Sequence, residues 1–539
     1  MNRTFNLADL FEIVAAAVPG RIAFVRGTHR LSYQELDQRA TRLASGLRQH
    51  GVDRGHHVGI QLFNSAQYLE TFLACCKIGA APVNINYRYK AGELGYLFAS
   101  LDLRALVYGS DFELQVRSAL DRAPLLEMLV HVGQTGAAPR SLDYERLVLA
   151  GEARLQDPQR SATDTCLLCT GGTTGVPKGV IWPHEALFMA ALGGGGIYFG
   201  KPPIAAPEEL GPLVLSSPPL AYLACAPMMH GAAMWASLIS LLAGHCVVVD
   251  EQPHFDAAHV WDIVTREGVH IVSVVGDAMA LPLIRAIEAE PGRWNLSGLR
   301  VFGNGGATFS RHLQDRLRQQ LPHLVINNAM GSSETGLVGG DEKPVQGDGF
   351  IRIKARPDLA LIDEARRIVR EPGARGILAR TGHTPLGYYG DAKKTAETFV
   401  PIDGVVWVLS GDQARIDERG DIVVLGRGSQ CINTGGEKVF PEEVEEVVRR
   451  CGFVNDVLVI GVPDPRWGQR VTAVVELVPG RTFLREEFQR MCTAHLAGYK
   501  LPRTVYLADK VMRSPAGKAD YRWAAEHACG SNGVELANF

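Results

Sequence analysis

Residues 166–180 read Cys-Leu-Leu-Cys-Thr-Gly-Gly-Thr-Thr-Gly-Val-Pro-Lys-Gly-Val, an apolar run that breaks into hydroxyls and glycines. Thr170, Thr173 and Thr174 offer hydroxyls, Gly171, Gly172 and Gly175 free the backbone to aim successive N–H groups at one point, and Lys178 adds a cation. Such a loop suits phosphate oxygens, because glycine removes the Cβ and consecutive amides form an anion-binding nest. The Walker A spacing is absent, and a flexible turn is the competing reading. Farther on, Ser333 stands beside Glu334, a hydroxyl fit for a phosphate oxygen next to a carboxylate fit for Mg²⁺. The plainer alternative there is a polar strand-to-helix turn. Asp412 closes an apolar run, where a carboxylate can accept both hydroxyls of a ribose, although aspartate also favours turns on its own account. Lys518 follows Gly517 near the C-terminal end and is a solvated charge unless the fold brings it to an anion. His230 sits alone in an apolar segment, the usual setting of a satisfied structural histidine. Cys166 and Cys169 lie three apart in a strand pattern, hence on opposite faces, and no second pair stands near, so no zinc or redox site is expected of them.

The elements that must carry these residues follow from the pattern of the chain. Its 539 residues exceed one core and fill roughly three or four domain-sized units. With 46% hydrophobic and 21% charged residues and a net charge of −3, the chain has no basic field for nucleic acid. No apolar run reaches the roughly 18 residues of a membrane helix. Residues 1–19 carry Asp9 and Glu12 inside their apolar pattern, as an amphipathic helix does and a secretory signal does not. Ten scattered cysteines without an export signal suit a reduced cytoplasmic protein. Short apolar runs alternate with helical patterns over residues 1–160: a hairpin at 21–33, a helix from Tyr33 to near Gly51, a strand at 57–62, a helix at 68–78 and a strand from Ala80 with Pro82 at its start. That alternation predicts an α/β unit with a largely parallel sheet. The glycines at 193–196 read as a loop, and residues 201–219, rich in proline, as an exposed irregular connection. Residues 269–275 read as a doubly covered strand, and 299–303 as a strand that ends in a glycine turn through Gly305, Gly306 and Ala307. A turn at a strand's carboxyl end is where open α/β sheets take ligands. Pro441 starts an acidic amphipathic helix, and the last hundred or so residues read as a small α+β domain.

In their order along about residues 20–525, these motifs resemble the adenylate-forming superfamily of acyl-CoA synthetases, luciferases and peptide-synthetase adenylation domains. The resemblance implies a large N-terminal domain, residues 1–426, of doubly wound sheets plus a small β-barrel. It also implies a small mobile α+β C-terminal domain, residues 427–539, hinged near 427–429. On that likeness, residues 170–178 hold the β- and γ-phosphates of ATP, and Ser333 takes the place of the family's threonine beside Glu334, the Mg²⁺ ligand. Gly305, Gly306 and Ala307 border adenine, and Met330 occupies the aromatic position that stacks on it, where a thioether can also pack. Asp412 and Arg427 hold the ribose. His230 lines the acyl pocket and gates the thiol's passage, with Met228, Met229, Met234 and Trp235 against the acyl group. Ser429 stands at the hinge where aspartate or lysine is usual, Gly435, Gly436 and Lys438 belong to the loop that meets the pantetheine arm, and Lys518 is the catalytic lysine.

The implied reaction is ATP-dependent formation of an acyl-AMP from a carboxylic acid, then transfer to CoA. The motifs look most like those of bacterial ligases for fatty acids and steroid side chains, and the Ala, Gly and Met residues around 188–196 and 228–236 would leave room for a large apolar acid. The implied partners are a small-molecule acid and CoA, with a homodimer left open. The rivals are an enzyme that loads a separate carrier protein and a catalytically idle nucleotide-binding homologue.

Overall fold

The computed structural model describes the chain except residues 1–2, 134–137, 139, 157–158, 172–176, 308, 342–349, 435–436, 465–467, 515–516, 531–532 and 537–539, and except the side chains of residues 198, 341, 427, 429, 433, 438 and 535. Four sheets organise it. The first, eight-stranded, runs in the order Gly336–Asp341, Val325–Ser332, Val301–Gly305, Ile271–Val274, Ala221–Ala224, Cys246–Val248, Ile22–Arg26 and His29–Ser32. Its central strands are parallel, with Asn304 in register with Asn328 and Gly305 with Ala329. The second, also eight-stranded, contains Thr165–Gly171 and Pro177–Pro183 beside Ala81–Asn84 and His57–Gln61. The largest apolar core draws Phe11, Phe24, Tyr33, Phe72, Trp182 and Phe188 from elements around these two sheets. A seven-stranded antiparallel sheet, the unit expected as the small barrel, follows and holds Asp412 opposite Arg427. The C-terminal part is a six-stranded sheet with its own core of Val444, Val448, Val459, Val475 and Phe488.

Local chemistry explains the boundaries. Ser32 and Glu35 form a reciprocal capping box that starts helix Tyr33–Gln49. Pro441 occupies the first turn of helix Pro441–Val448, where its missing N–H has no intrahelical acceptor to lose. Helix Leu7–Ala17 replaces the N-terminal amphipathic pattern as expected. One sequence expectation fails, and one alternative reading falls with it. Within the proline-rich segment, Leu210–Leu215 is a helix that packs on Leu7–Ala17, because Leu210, Leu213 and Val214 recur at helical spacing and are buried. The polar turn at Ser332 leads into a strand, not a helix, so 325–341 is an antiparallel hairpin. There a Cβ on Gly331 would stand 2.2 Å from the Gly336 carbonyl oxygen, so only glycine lets the hairpin close.

Candidate active site

The phosphate-loop residues sit at the end of a hairpin. Strands Thr165–Gly171 and Pro177–Pro183 pair antiparallel, with Thr170 opposite Lys178 and Gly171 opposite Pro177. Gly172, Thr173, Thr174 and Gly175 lie outside the described residues. Lys178 Nζ is 2.6 Å from Asp391 Oδ2 and 5.9 Å from the centre of the Tyr388 ring. Tyr388 donates its hydroxyl to Glu334 Oε1 at 2.8 Å, and Trp182 Nε1 donates to the Ser333 carbonyl at 2.8 Å. Two motifs more than 150 residues apart in the chain are thereby joined. The Ser332–Thr335 turn is closed by hydroxyls, Thr335 N–H to Ser332 Oγ at 3.1 Å and Glu334 N–H to the same oxygen at 3.3 Å. Beneath it, the buried Arg380 Nη1 donates to the carbonyls of Ala190, Thr335 and Leu337. Sequence reasoning assigned no role to Tyr388, Asp391 or Arg380. The first two lie in a tyrosine-, glycine- and aspartate-rich segment at 386–391, which was the available signal.

The nucleotide side is set by the carboxyl ends of the parallel strands. Asn304 accepts from Gly276 N–H at 2.7 Å and donates to the Ala307 carbonyl at 3.0 Å, which holds Gly305, Gly306 and Ala307 against the start of helix Gly276–Ala289. Gly306 has a φ of +86°, a conformation glycine adopts freely. Met330 is half-buried and leans on the apolar core of the seven-stranded sheet beside Val338 and Ile353. Asp412 is buried, and its own N–H is bonded to Ser410 Oγ at 3.0 Å.

His230 precedes helix Gly231–Leu242 at its N-cap. The segment before it is braced by two asparagines that sequence reasoning missed. Asn64 accepts from Met228 N–H and donates to the Ala226 carbonyl, while Asn84 accepts from Cys169 N–H and donates to the Met229 carbonyl. Asn84 therefore ties the phosphate hairpin to the histidine segment. Burial first, then the charges of Lys518 and Arg88, pushes the His230 pKa down to about 4. Lys518 thus lies within electrostatic reach of His230 although it belongs to the C-terminal part of the chain. Its loop is pinned by Ser514, whose N–H donates to the Lys518 carbonyl at 2.7 Å and whose Oγ accepts from the Lys518 N–H at 3.2 Å. Gly517, φ +75°, packs against the other part of the chain, where a Cβ would stand 2.9 Å from the Val275 carbonyl oxygen.

The depressed His230 pKa has a measurable consequence. The ordinary histidine value is about 6.5, so below it the unfolded chain binds a proton that the folded site refuses until about pH 4. Stability is therefore fully present above pH 6.5 and falls through the window 6.5 to 4, by up to about 1.4 kcal/mol per pH unit for each such histidine. His245, also pushed down to about 4 chiefly by burial, contributes in the same window. His230→Gln should flatten the drop in melting temperature between pH 7.5 and 5 relative to wild type. An unchanged slope would show that His230 does not titrate with unfolding.

Met228, Met229, Met234 and Trp235 are all buried in the body of the protein. The cavity lined by Tyr68, Asn84, Trp182, Met234 and Trp235 measures about 10 Å³, room for one water. Met234 and Trp235, expected against the acyl group, line this small cavity. The glycine run beside it serves close packing: a Cβ on Gly196 would stand 1.9 Å from the Pro202 carbonyl oxygen, and one on Gly194 2.6 Å from Pro203 Cβ.

Cys166 and Cys169 part as strand alternation requires, the first buried and the second half-buried. Cys166 instead joins Cys76 and His184, whose ligand atoms all lie within 4.8 Å of one another. The tautomer argues against a metal there. Leu7 N–H donates to His184 Nδ1 at 3.4 Å, which leaves the proton on Nε2, 3.7 Å from Cys76 Sγ. A histidine that binds metal through Nε2 donates from Nδ1, and a backbone N–H cannot accept it. Burial also pushes the Cys76 thiol well above its ordinary pKa, so the trio is a hydrogen-bonded core cluster. Ser429 lies in the turn Gly428–Gln430, and Lys438 lies in strand Glu437–Val439, paired with Ile432–Thr434; their side chains, and Gly435 and Gly436 entirely, fall outside the described residues.

Known proteins resemble the chain along most of its length. The model of the AMP-binding enzyme family matches residues 11–389, and that of the AMP-binding enzyme C-terminal domain matches residues 443–518. The chain is 38% identical over 530 residues to a medium/long-chain-fatty-acid–CoA/3-oxocholest-4-en-26-oate–CoA ligase of Mycobacterium tuberculosis, over 97% of this chain and 96% of that protein. It is 38% identical to a 3-oxocholest-4-en-26-oate–CoA ligase of Rhodococcus rhodochrous, over 97% and 95%. In fold it resembles the anthranilate CoA ligase AuaEII, with a TM-score of 0.83 at 20% identity over 98% of this chain and 99% of that one. Among the described residues no helix is long and apolar enough to cross a membrane. Because the likeness runs from the first helix through the loop of Lys518, the chain belongs to the AMP-binding, adenylate-forming enzymes and, within them, to the acyl-CoA ligases.

Proposed function

We propose that this protein joins a hydrophobic carboxylic acid, a long-chain fatty acid or a steroid side-chain acid, to CoA at the expense of ATP. The observation that carries the reading is that Asn84 ties the strand of the phosphate hairpin, whose Lys178 neighbours Tyr388 and Glu334, to the segment of His230, which a lysine from the far end of the chain, Lys518, reaches electrostatically. The names of the relatives support the acid class.

In the first step a carboxylate oxygen attacks the α-phosphorus of ATP, the bond to the β-phosphate's bridging oxygen breaks, and pyrophosphate leaves with the electron pair. Lys518 screens the repulsion between carboxylate and α-phosphate, while Thr170, the adjoining loop at 171–175, Lys178 and Ser333 hold the outgoing phosphates. Lys178 exchanges Asp391 for phosphate at little expense, since both side chains of that pair are partly exposed. Asp412 and Arg427 take the ribose, and Gly305, Gly306, Ala307 and Met330 border adenine. Glu334, a half-buried hard-oxygen donor oriented by Tyr388, fits Mg²⁺, which when bound neutralises part of the triphosphate charge.

In the second step the C-terminal domain, residues 427–539, turns about Ser429 relative to residues 1–426. It withdraws Lys518 and brings Gly435, Gly436 and Lys438 to the CoA arm. The sulfur of CoA attacks the acyl carbon, the bond to the AMP oxygen breaks, and the thiol proton passes to solvent. His230 stays neutral and so adds no positive charge to the passage it lines. Met228, Met229, Met234 and Trp235 repack to admit the chain, for which the flexible thioethers are suited. Ten free thiols favour a reducing, cytoplasmic setting.

Mass spectrometry of the products from a mixed pool of acids with ATP and CoA tests the reading. Long-chain or steroid acyl-CoA with AMP is expected. Preference for acetate or benzoate would overturn the acid class, acyl-AMP without acyl-CoA would point to a carrier-loading enzyme, and no pyrophosphate at all would leave an idle homologue.

A further inference from the structure

We propose that Asp277 is a positioning residue for the first step. It anchors the loop of Lys518 in the acyl-AMP-forming arrangement through a ladder of alternating charges that crosses the seam between the two parts of the chain. The inference rests on the domain rotation proposed above.

The ladder begins at Asp277, in the first turn of helix Gly276–Ala289. Its Oδ2 lies 3.5 Å from Arg449 Nε, on the C-terminal side of the seam. Arg449 Nη2 lies 3.7 Å from Asp456 Oδ1. Asp456 in turn accepts from Arg513 at both oxygens, at 2.7 and 2.8 Å. Arg513 Nη1 reaches the carbonyl of Gly517 at 3.4 Å, the residue before Lys518. All four charged side chains are 16% exposed or less. Buried charges of alternating sign hold one another.

Both contacts of Arg449 in the ladder are long, 3.5 Å to Asp277 at the seam and 3.7 Å to Asp456, against 2.7 and 2.8 Å between Asp456 and Arg513. Burial raises the pKa of Asp277 even with Arg449 beside it, whereas Asp456, gripped by Arg513, lies below the ordinary carboxylate value in spite of its own burial. Both sides also keep a local partner when the rung opens. Arg449 Nη2 lies 3.2 Å from Glu445 Oε2 on its own helix, and Asp277 Oδ1 accepts from Ser310 N–H at 2.7 Å. An interface that strands neither charge on parting can open and close repeatedly. Among the described residues, Arg285 to Asn455 at 2.7 Å and Arg311 N–H to Glu446 at 3.4 Å also bridge the two sides here, around a cleft of about 600 Å³. The Asp277–Arg449 rung is the charged contact by which the ladder that reaches the Lys518 loop meets the other part of the chain.

Asp277→Asn keeps the shape and the acceptor for Ser310 while it removes the charge that faces Arg449. The two half-reactions are measured apart: acid-dependent exchange of labelled pyrophosphate into ATP with a long-chain fatty acid, and thioester formation from synthetic acyl-AMP and CoA. Exchange should fall about tenfold in kcat with KM for ATP and acid changed by less than about threefold, thioester formation should stay within about twofold, and Asp277→Glu should recover most of the loss. A proportional fall of both half-reactions, or of melting temperature and both together, would mark Asp277 as structural and overturn the role. Wild-type exchange in Asp277→Asn would overturn it too. If wild type itself exchanges no pyrophosphate with any acid, the proposed function falls and the role with it, an outcome distinct from an active wild type with an equally active variant.

Discussion

Lys518→Ala should lose about two to three decades of acyl-AMP formation, or about 3–4 kcal/mol of transition-state stabilisation, while thioester formation from supplied acyl-AMP survives. The size follows from electrostatics. Two anions must meet for the carboxylate to reach the α-phosphorus, and in a site shielded from water one ammonium group between them is worth far more than in bulk solvent. The selectivity follows from place. Lys518 lies within electrostatic reach of His230 only because its loop is docked, Gly517 against Val275, and a residue that leaves with the loop cannot assist the thiol step. Lys518→Arg should restore little, because the guanidinium is broader and planar where a point charge is needed. Rapid-quench measurement of each half-reaction decides the matter: equal loss in both, or in neither, would remove Lys518 from the proposed chemistry.

Glu334→Gln should cut acyl-AMP formation by about a hundredfold, or about 2.7 kcal/mol, and raise the Mg²⁺ concentration needed for half-maximal rate. The amide keeps an oxygen for the Tyr388 hydroxyl, which now donates to Glu334 Oε1 at 2.8 Å, so the turn keeps its fold and only charge is withdrawn. Tyr388→Phe, which leaves the charge and removes the orienting bond, should fall by a smaller factor, about tenfold. A variant with wild-type rate at the wild-type Mg²⁺ requirement would show that this carboxylate holds no cation.

The sheet alternation and the first hairpin and helices were legible, because they rest on local periodicity and on Gly and Pro punctuation. The chemistry-bearing clusters were legible as types: Thr170 to Lys178, Ser333 with Glu334, and Gly517 with Lys518 each announce themselves within a few residues. What stayed hidden depends on partners far away in the chain. Asn84 reads as a polar end to a strand, yet it links Cys169 to Met229. Arg380 carries no local motif, yet it is buried and donates to three carbonyls. Asp277 reads as a helix-start acid, and nothing local tells of Arg449. The helix at Leu210–Leu215 was hidden for another reason: six prolines nearby outvoted a short apolar spacing that only packing on the first helix makes decisive.

Asp391 lies 2.6 Å from Lys178 and is in effect a placeholder. On the reading proposed above, a lone orthophosphate or sulfate that wanders in finds the ammonium already matched and gains little from the swap. ATP arrives with several charges engaging several donors together, and for it the same swap is easy. On that reading the pair is a resting contact, weak enough to give way when a triphosphate engages several donors at once.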